Sequence, residues 1–221
     1  MNPCLLALAL LQAPLDEGTF VVREDTVEVA RESFRLNYGR LARGGMGWTL
    51  ATTIRYDRAR PVVVLAPILE VSADTLPATL QYDVGDPRQP VRILGELGRS
   101  RFTVRFVARA TERAREFPVA GRTVVLDDSV FTLYVFAAWR AAAQPGQLTA
   151  IVPRGLRREV VEIQDQGLAP TTLNHTPASL RHLTVTGGAN QVVHLWLDAA
   201  GRLMKIEIPS RRLSAERLRA G

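Results

Sequence analysis

The stretch of residues 48–57 reads WTLATTIRYD, and its larger side chains occupy every second position from Trp48 to Tyr56. Small or polar residues fill most of the positions between them. Successive side chains of a β-strand point to opposite faces, so this period of two predicts a strand with one buried and one solvated face. The stretch Ala78–Val84 repeats the pattern. We therefore expect a fold built from one-sided strands.

Similar runs recur along the chain, and residues that favour turns separate them. Gly44-Gly45, Asp86-Pro87 and Gly187-Gly188 are examples. Many short strands joined by close turns predict an antiparallel meander rather than alternating strands and helices. Two hairpins stand out, one across Leu197–Arg202 and one across Thr186–Asn190.

One segment departs from this period. Residues 129–143 read SVFTLYVFAAWRAAA, follow Asp127 and Asp128, and end before Pro145-Gly146, which suits both ends of a helix. Apolar side chains cover nearly its whole circumference, as in a buried helix. Asp127 and Asp128 are interpreted as helix caps, with a catalytic carboxylate pair as the alternative. The predicted fold class is mainly β: an antiparallel, curved, half-barrel-like sheet packed around one long apolar helix, Ser129–Ala143.

The 221-residue chain is expected to have three parts. Residues 1–13, MNPCLLALALLQA, resemble a short secretory signal peptide cleaved after Ala13, and their apolar run is too short to span a bilayer. Residues 14–209 are expected to form a single β-rich domain, and residues 210–221 a basic tail that frays or forms a last helical turn. These features predict a periplasmic or secreted protein that is not transmembrane; a cytoplasmic protein with a buried N-terminal strand is the alternative.

The composition restricts the chemistry. Cys4 is the only cysteine, so a chain cleaved after Ala13 has no disulfide, thiolate nucleophile or cysteine metal cluster. The sequence contains no P-loop, GxGxxG, HExxH or GxSxG motif. We therefore predict no catalytic residues and no cofactor, and an enzyme is not favoured. No motif for nucleic-acid binding is present either, so we expect no nucleic-acid partner.

The net charge of +6 comes almost entirely from arginine, because Lys205 is the only lysine. Arg101, Arg105, Arg109 and Arg113 lie four residues apart, and on one strand they would share a face opposite an apolar stripe. Arg101, Arg105 and Arg109 are the predicted anion-binding residues, for a lipid headgroup, a polyanion or an acidic protein partner. The alternative is a solvated face neutralised by acids on neighbouring strands, such as Glu96.

The histidines suggest a second kind of chemistry. If the hairpin at Thr186–Asn190 is centred on Gly188, His182 lies directly opposite His194, and two imidazoles facing each other can hold a metal. No third ligand is visible at a suitable spacing, since His175 lies in a predicted loop, so no metal site is assigned. A metal-dependent, hydrolase-like enzyme using His182 and His194 is kept as an alternative function.

The antiparallel sheet, the apolar helix, the export-like start and the stretch 196–208, WLDAAGRLMKIEI, together resemble bacterial envelope proteins of the lipoprotein-carrier type and related uncharacterised envelope families. This resemblance implies a half-barrel sheet curled over one or more helices, with an apolar cavity.

We expect a non-catalytic envelope protein that binds a hydrophobic ligand, a lipid or lipoprotein acyl chain, or an envelope protein partner. A structural or assembly subunit that docks an acidic partner through the arginine face is a third hypothesis. Aromatic residues around the predicted helix are expected to line the ligand site, with plain core packing as the alternative. The predicted wall residues are Phe102, Phe106, Phe131, Tyr134 and Trp139.

Overall fold

The structure, a computed structural model, describes residues 15–109, 111–187 and 191–218. The predicted signal peptide, residues 1–13, lies outside the described residues. The described residues form fifteen strands and one α-helix. The elements are β1 (Asp16–Glu24), β2 (Val27–Arg40), β3 (Met46–Tyr56), β4 (Val63–Ser72), β5 (Pro77–Gly85), β6 (Val91–Leu97), β7 (Arg101–Ala108), β8 (Thr111–Pro118), β9 (Thr123–Val125), α1 (Tyr134–Ala143), β10 (Gly146–Val152), β11 (Arg157–Leu173), β12 (Thr176–Gly187), β13 (Gln191–Leu197), β14 (Leu203–Ile208) and β15 (Leu213–Arg217).

All fifteen strands belong to one curved, unclosed sheet in the order β8-β7-β6-β5-β4-β3-β2-β1-β15-β14-β13-β12-β11-β10-β9. Neighbouring strands are antiparallel except for β9 and β10, which are parallel. The pairing of β1 with β15 joins the first and last described strands in the middle of the sheet. The two edge strands, β8 and β9, are consecutive in sequence, so the opening of the sheet lies at the centre of the chain. The predicted antiparallel, curved, mainly β architecture is confirmed.

Strand β3 shows how the sequence pattern becomes a core. Leu50, Thr52 and Ile54 are buried, whereas Thr53 and Arg55 on the opposite parity are exposed. The inward-facing residues of the other strands continue the same apolar surface, and α1 packs against it. Burial of this surface is the main favourable contribution to folding.

The prediction of one long helix, Ser129–Ala143, is wrong in its length. The α-helix covers only Tyr134–Ala143, ten residues, and its N-cap position is Leu133, which provides no side-chain cap. Asp127 does not cap α1 either: its Oδ1 accepts a hydrogen bond from the Ser129 N–H at 2.8 Å within a tight turn. The local sequence suits a helix from Ser129, but side chains from the sheet hold residues 127–132 in turns, as described below.

The row of arginines at positions 101, 105, 109 and 113 is expected on one strand, but residues 101–118 form the antiparallel hairpin β7–β8. Strand β7 ends at Ala108, and Arg109 lies in the turn. The chain reverses there, so Arg113 lies opposite Phe106 and shares its face rather than that of Arg105. The predicted row of four arginines on one face therefore does not exist.

Residues Leu213–Arg217, within the predicted basic tail, form β15 between β1 and β14. The side chain of Arg217 is nearly buried and donates to Asp16, with Nη1 3.0 Å from Oδ2. The alternation of Leu213, Ala215 and Arg217 with polar residues is itself a strand pattern, and tertiary pairing on both sides stabilises it.

Candidate functional site

The interior between α1 and the sheet is packed. Phe131 and Phe136 are almost completely buried there. Near Thr132 the packing leaves a void of only about 10 Å³, which borders Phe20 and Val135. A void of this size accommodates at most about one water molecule. The resemblance implied an apolar cavity beneath the sheet, and the described residues leave no room for a ligand at this place.

An open groove of about 490 Å³ lies instead at the C-terminal half of α1. The helix contributes Ala138, Trp139 and Ala142 to one wall. The opposite wall comes from strands β11 and β12 and from the turn between β13 and β14. These residues are Gly167, Leu168, Ser179, Arg181, Leu197, Asp198, Ala199, Ala200 and Gly201. Small residues dominate the lining, and they keep the groove open.

A β-bulge in β11 shapes the outer wall. The register of β11 against β12 shifts between Asp165 and Gly167, and Gly167 has a φ of +77°. Asp165 Oδ1 accepts a hydrogen bond from the Gly167 N–H at 2.9 Å, which fixes the bulge. The next residue, Leu168, is 77% exposed although it is a large apolar side chain. The bulge thus holds an apolar surface open to solvent at the rim of the groove.

Trp139 lies in the wall of the groove that α1 contributes, and two other aromatic rings pack against it. Its ring lies 5.0 Å from that of Trp48 and 5.6 Å from that of Phe136, both edge to face. Such pairs add about 0.5–1.5 kcal/mol beyond simple burial. The indole is therefore a rigid, half-buried surface rather than a mobile one.

The charged groups at the rim pair with each other. Arg181 Nη2 lies 2.6 Å from Asp165 Oδ2, and this hydrogen-bonded contact lowers the pKa of Asp165 and raises that of Arg181. Asp198 binds Arg202 across the β13–β14 turn at 2.7 Å. The predicted Leu197–Arg202 hairpin is present, and Gly201 has the positive φ of +75° that such a turn requires.

The five predicted wall residues do not converge on one site. Phe102, Phe131 and Tyr134 are buried within the core. Trp139 lines the groove described above. Phe106 lines a separate depression of about 440 Å³ beside the β7–β8 turn, together with Arg109. Their role in ligand binding stays a prediction, and Trp139 is the one that lies at the groove beside α1.

The predicted anion-binding arginines also separate. Arg105 donates to Glu112 through Nε and Nη2, at 2.9 and 2.7 Å. Arg101 lies 3.8 Å from Glu116. Both acids come from β8, because the chain reverses after Ala108. Arg109 makes no ion pair with any described residue, so two of the three arginines are neutralised by a neighbouring strand.

Sequence reasoning missed a buried carboxylate on β2. Glu32 is fully buried and accepts hydrogen bonds from the backbone N–H groups of Phe131 and Thr132, at 2.8 and 2.9 Å. The hydroxyls of Thr132 and Thr52 also donate to it. Burial raises the pKa of Glu32, and these hydrogen bonds oppose that shift. The feature of the sequence that could have indicated this site is a single acidic residue, Glu32, at an inward-facing position of a strand.

A second buried polar cluster surrounds Asp127, which the sequence presented as a cap or a catalytic acid. Arg154 binds its carboxylate with two hydrogen bonds of 2.7 Å, and the Tyr82 hydroxyl donates to it at 3.1 Å. Tyr56 donates to the nearby Ser129 carbonyl at 2.7 Å. Burial raises the pKa of Tyr56 and Tyr82, so both phenols keep their protons. Both carboxylate oxygens of Asp127 accept hydrogen bonds from protein donors, and the cluster fixes the segment before α1.

The predicted register of the His182–His194 hairpin is wrong by one position. Its closing pair is Gly187 with Gln191, so the hairpin is centred one residue later than Gly188. The loop residues 188–190 lie outside the described part. His182 consequently faces Trp196, and His194 faces Thr184. The two histidines still meet diagonally, with His182 Nε2 2.8 Å from His194 Nδ1, because diagonal neighbours on one face are within reach of aromatic side chains.

Two further findings concern metal ligands and membrane spans. Among residues 15–109, 111–187 and 191–218, no group of three or more His, Cys, Asp or Glu side chains is placed to hold a metal ion. In the same residues, no helix is long and apolar enough to cross a membrane.

Comparison with known proteins identifies the fold. No protein-family model matches the chain, and no curated protein sequence matches it. Among solved structures, the chain is similar to a beta-barrel-like protein of the domain of unknown function DUF1849 from Brucella abortus. The TM-score is 0.57 at 11% sequence identity, and the match covers 92% of this chain and 95% of that one. The two proteins therefore share a beta-barrel-like fold.

Proposed function

We propose that the protein is a non-catalytic binding protein that takes a single acyl chain, or a similarly slender apolar group, in the groove beside α1. The observation that carries this proposal is the position of Leu168, a leucine held 77% exposed by the β11 bulge at the rim of a groove that Trp139 also lines. Exposed leucines are common singly, but here the apolar side chain borders a concave surface of about 490 Å³.

The groove suits a chain rather than a bulky ring system. Small residues, Ala138, Ala142 and Gly201 among them, line a channel between α1 and the β13–β14 turn. Each CH₂ group removed from water there contributes about 0.8 kcal/mol. A chain bound there also buries the exposed surfaces of Leu168 and Trp139.

The rim supports an amphipathic ligand. Arg181 and Asp198 lie at the mouth, and each is already paired with a charge of the protein. A ligand whose polar end stays in solvent near these groups, with its apolar end beside Trp139, leaves no charge buried. This arrangement favours a lipid or a lipidated segment over a wholly apolar molecule.

The proposal also includes a location in the cell envelope, periplasmic or secreted, and a role like that of lipoprotein carriers. Its support is the signal-like sequence of residues 1–13 and the resemblance given above. The test is fractionation followed by mass determination of the mature N-terminus. Recovery from the envelope with Pro14 as first residue supports it, and recovery of the uncleaved chain from the cytoplasm contradicts it.

The binding proposal is tested with a dansyl-labelled undecanoic acid, by following energy transfer from tryptophan to the bound dansyl group. We expect saturable binding to the wild-type protein. Leu168→Ser should weaken it about tenfold, since most of the transfer free energy of one leucine is lost. Ala142→Trp should also weaken it about tenfold or more, because the larger side chain narrows the groove beside α1.

The matched control is Val160→Ser. Val160 lies on the same strand as Leu168, is 58% exposed, and does not line the groove. Equal affinities for the Leu168→Ser, Ala142→Trp and Val160→Ser proteins would sink the proposal, as would a wild-type protein that shows no saturation.

A further inference from the structure

We infer that His182 and His194 form a surface site for a divalent transition metal, Cu²⁺ or Ni²⁺, on the outer face of the sheet. This site lies on β12 and β13 and is independent of the groove beside α1. The pair is the only place in the described residues where two imidazoles meet, since the third histidine, His175, lies in the β11–β12 turn.

The spacing of the two nitrogens carries the inference. His182 Nε2 and His194 Nδ1 are 2.8 Å apart. Two ligands that sit about 2.0 Å from a metal at a right angle are about 2.8 Å apart, whereas tetrahedral ligands are about 3.3 Å apart. Square-planar or tetragonal coordination is typical of Cu²⁺ and Ni²⁺. The existing distance therefore fits these ions better than tetrahedral Zn²⁺.

The surroundings hold one imidazole in place. The His182 ring stacks on the Trp196 indole with centroids 4.2 Å apart and planes 11° apart. Trp196 is nearly buried, and its Nε1 donates to Glu207 Oε2 at 3.3 Å. On the other side, His182 faces Gly167 of β11, which has no side chain and therefore leaves the approach open. Such fixed ligands lose little conformational entropy when a metal binds.

The charges around the pair are compatible with a cation. His194 lies opposite Glu207 on β14, and Lys205 binds the same carboxylate at 2.8 Å. Thr184 and Gln166, on β12 and β11, are the uncharged polar neighbours.

Metal binding requires a tautomer change and a rotation of the imidazole rings, because the bridging nitrogens now point at each other and must instead both point at the metal. In the hydrogen-bonded pair one imidazole donates its N–H to the other, so one bridging nitrogen carries a proton. In the metal complex that proton occupies the distal nitrogen of the same ring, and both bridging nitrogens offer lone pairs. No net proton is released, and water completes the coordination because no third protein ligand is in place.

The test uses tag-free full-length protein with Cys4→Ser, which removes the thiol as a competing ligand. Titration with Cu²⁺ should quench tryptophan emission with saturation, since Trp196 touches the site while Trp48 and Trp139 form a separate pair. His182→Gln and His194→Gln should each weaken binding at least tenfold. His175→Gln, the matched control, should leave it unchanged.

Electron paramagnetic resonance of the Cu²⁺-loaded parent protein gives a readout that requires no further variant. We expect hyperfine coupling from two imidazole nitrogens. Coupling from fewer than two nitrogens overturns the inference. So does quenching that survives in both the His182→Gln and His194→Gln proteins, or that is lost to the same extent in the His175→Gln protein.

Discussion

Glu32 on β2 holds Thr132, one hundred residues further along the chain, through its backbone N–H and its hydroxyl. The carboxylate also accepts the neighbouring N–H of Phe131. Both N–H groups lie just before Leu133, the N-cap position of α1. A strand residue thus holds the turn that leads into α1, and it fixes the start of the helix against the inside of the sheet.

Replacement of Glu32 should destabilise the protein strongly. Glu32→Ala leaves two buried N–H groups without an acceptor, and each such group costs about 1–3 kcal/mol. Glu32→Gln should also destabilise, because its NH₂ group would face one of those N–H donors. Urea unfolding followed by circular dichroism measures both. Glu28→Ala on the same strand, which breaks only an exposed contact with Arg31, is the control and should change stability little. Equal effects of Glu28→Ala and Glu32→Ala would show that the anchor is unimportant.

The stability of the protein should depend on pH through Glu32. Burial raises the pKa of this carboxyl above its usual value. The native state therefore keeps the proton in a pH range where the unfolded chain, with a pKa of about 4.3, has lost it. Thr52 Oγ1 lies 3.1 Å from the Ser33 carbonyl and from Glu32, so it can donate to the former and accept from the protonated acid.

The direction of this pH dependence of stability follows from the raised pKa of Glu32. The stabilising contribution is complete below the unfolded pKa and declines as pH rises through the folded one. The difference in unfolding free energy between the wild type and Glu32→Gln should therefore grow as pH falls from 7 towards about 4. Chemical unfolding at a series of pH values measures it, and a difference that is constant or shrinks with falling pH contradicts the expectation.

Removing the cation from the buried Asp127–Arg154 pair should lower the free energy of unfolding. Arg154→Met leaves the Asp127 carboxylate, whose side chain is fully buried, with only Tyr82 and the Ser129 N–H as donors. We expect a loss of about 3 kcal/mol, and partial recovery when Asp127→Asn is added. The control is Arg105→Met, whose partner Glu112 is exposed. If Arg154→Met destabilises no more than Arg105→Met in thermal unfolding, the pair is not structurally important.

Deletion of the last strand should prevent cooperative folding. A chain ending at Arg212 lacks β15, and β1 and β14 then lose their shared partner in the middle of the sheet. The nearly buried Asp16 also loses Arg217. Differential scanning calorimetry should show no sharp transition. Removal of residues 219–221 alone leaves β15 intact and is the control; a cooperative transition in the longer deletion would contradict the expectation.

The antiparallel meander could be predicted because the signal is local. The alternation in Trp48–Tyr56 decides which side chains face inward, and the glycines and aspartates of the turns decide where strands end. The same local logic failed at Arg101–Phe117. There the alternation of arginines with apolar residues continues through the reversal at Arg109, so the pattern carried no sign of the turn.

The histidine hairpin shows the limit of register prediction. The placement of the turn one residue away from Gly188 changes which residues face each other, although parity keeps His182 and His194 on one face. The sequence therefore predicted that the two histidines share a face of the sheet, but it did not predict which residues lie opposite them. The groove was not predictable at all, since Trp139, Leu168 and Leu197 come from three elements far apart in sequence.

The sequence by itself determined the strand-rich class, the inward and outward faces of strands such as β3, and the presence of a helical segment before Pro145. These properties follow from periodicity and from residues that favour turns, which act over a few positions. Only the tertiary structure decided where the helix begins, how β1 and β15 meet, and where the groove lies. Those depend on contacts such as Glu32 with Thr132, whose free energy is gained only when distant segments are already packed together.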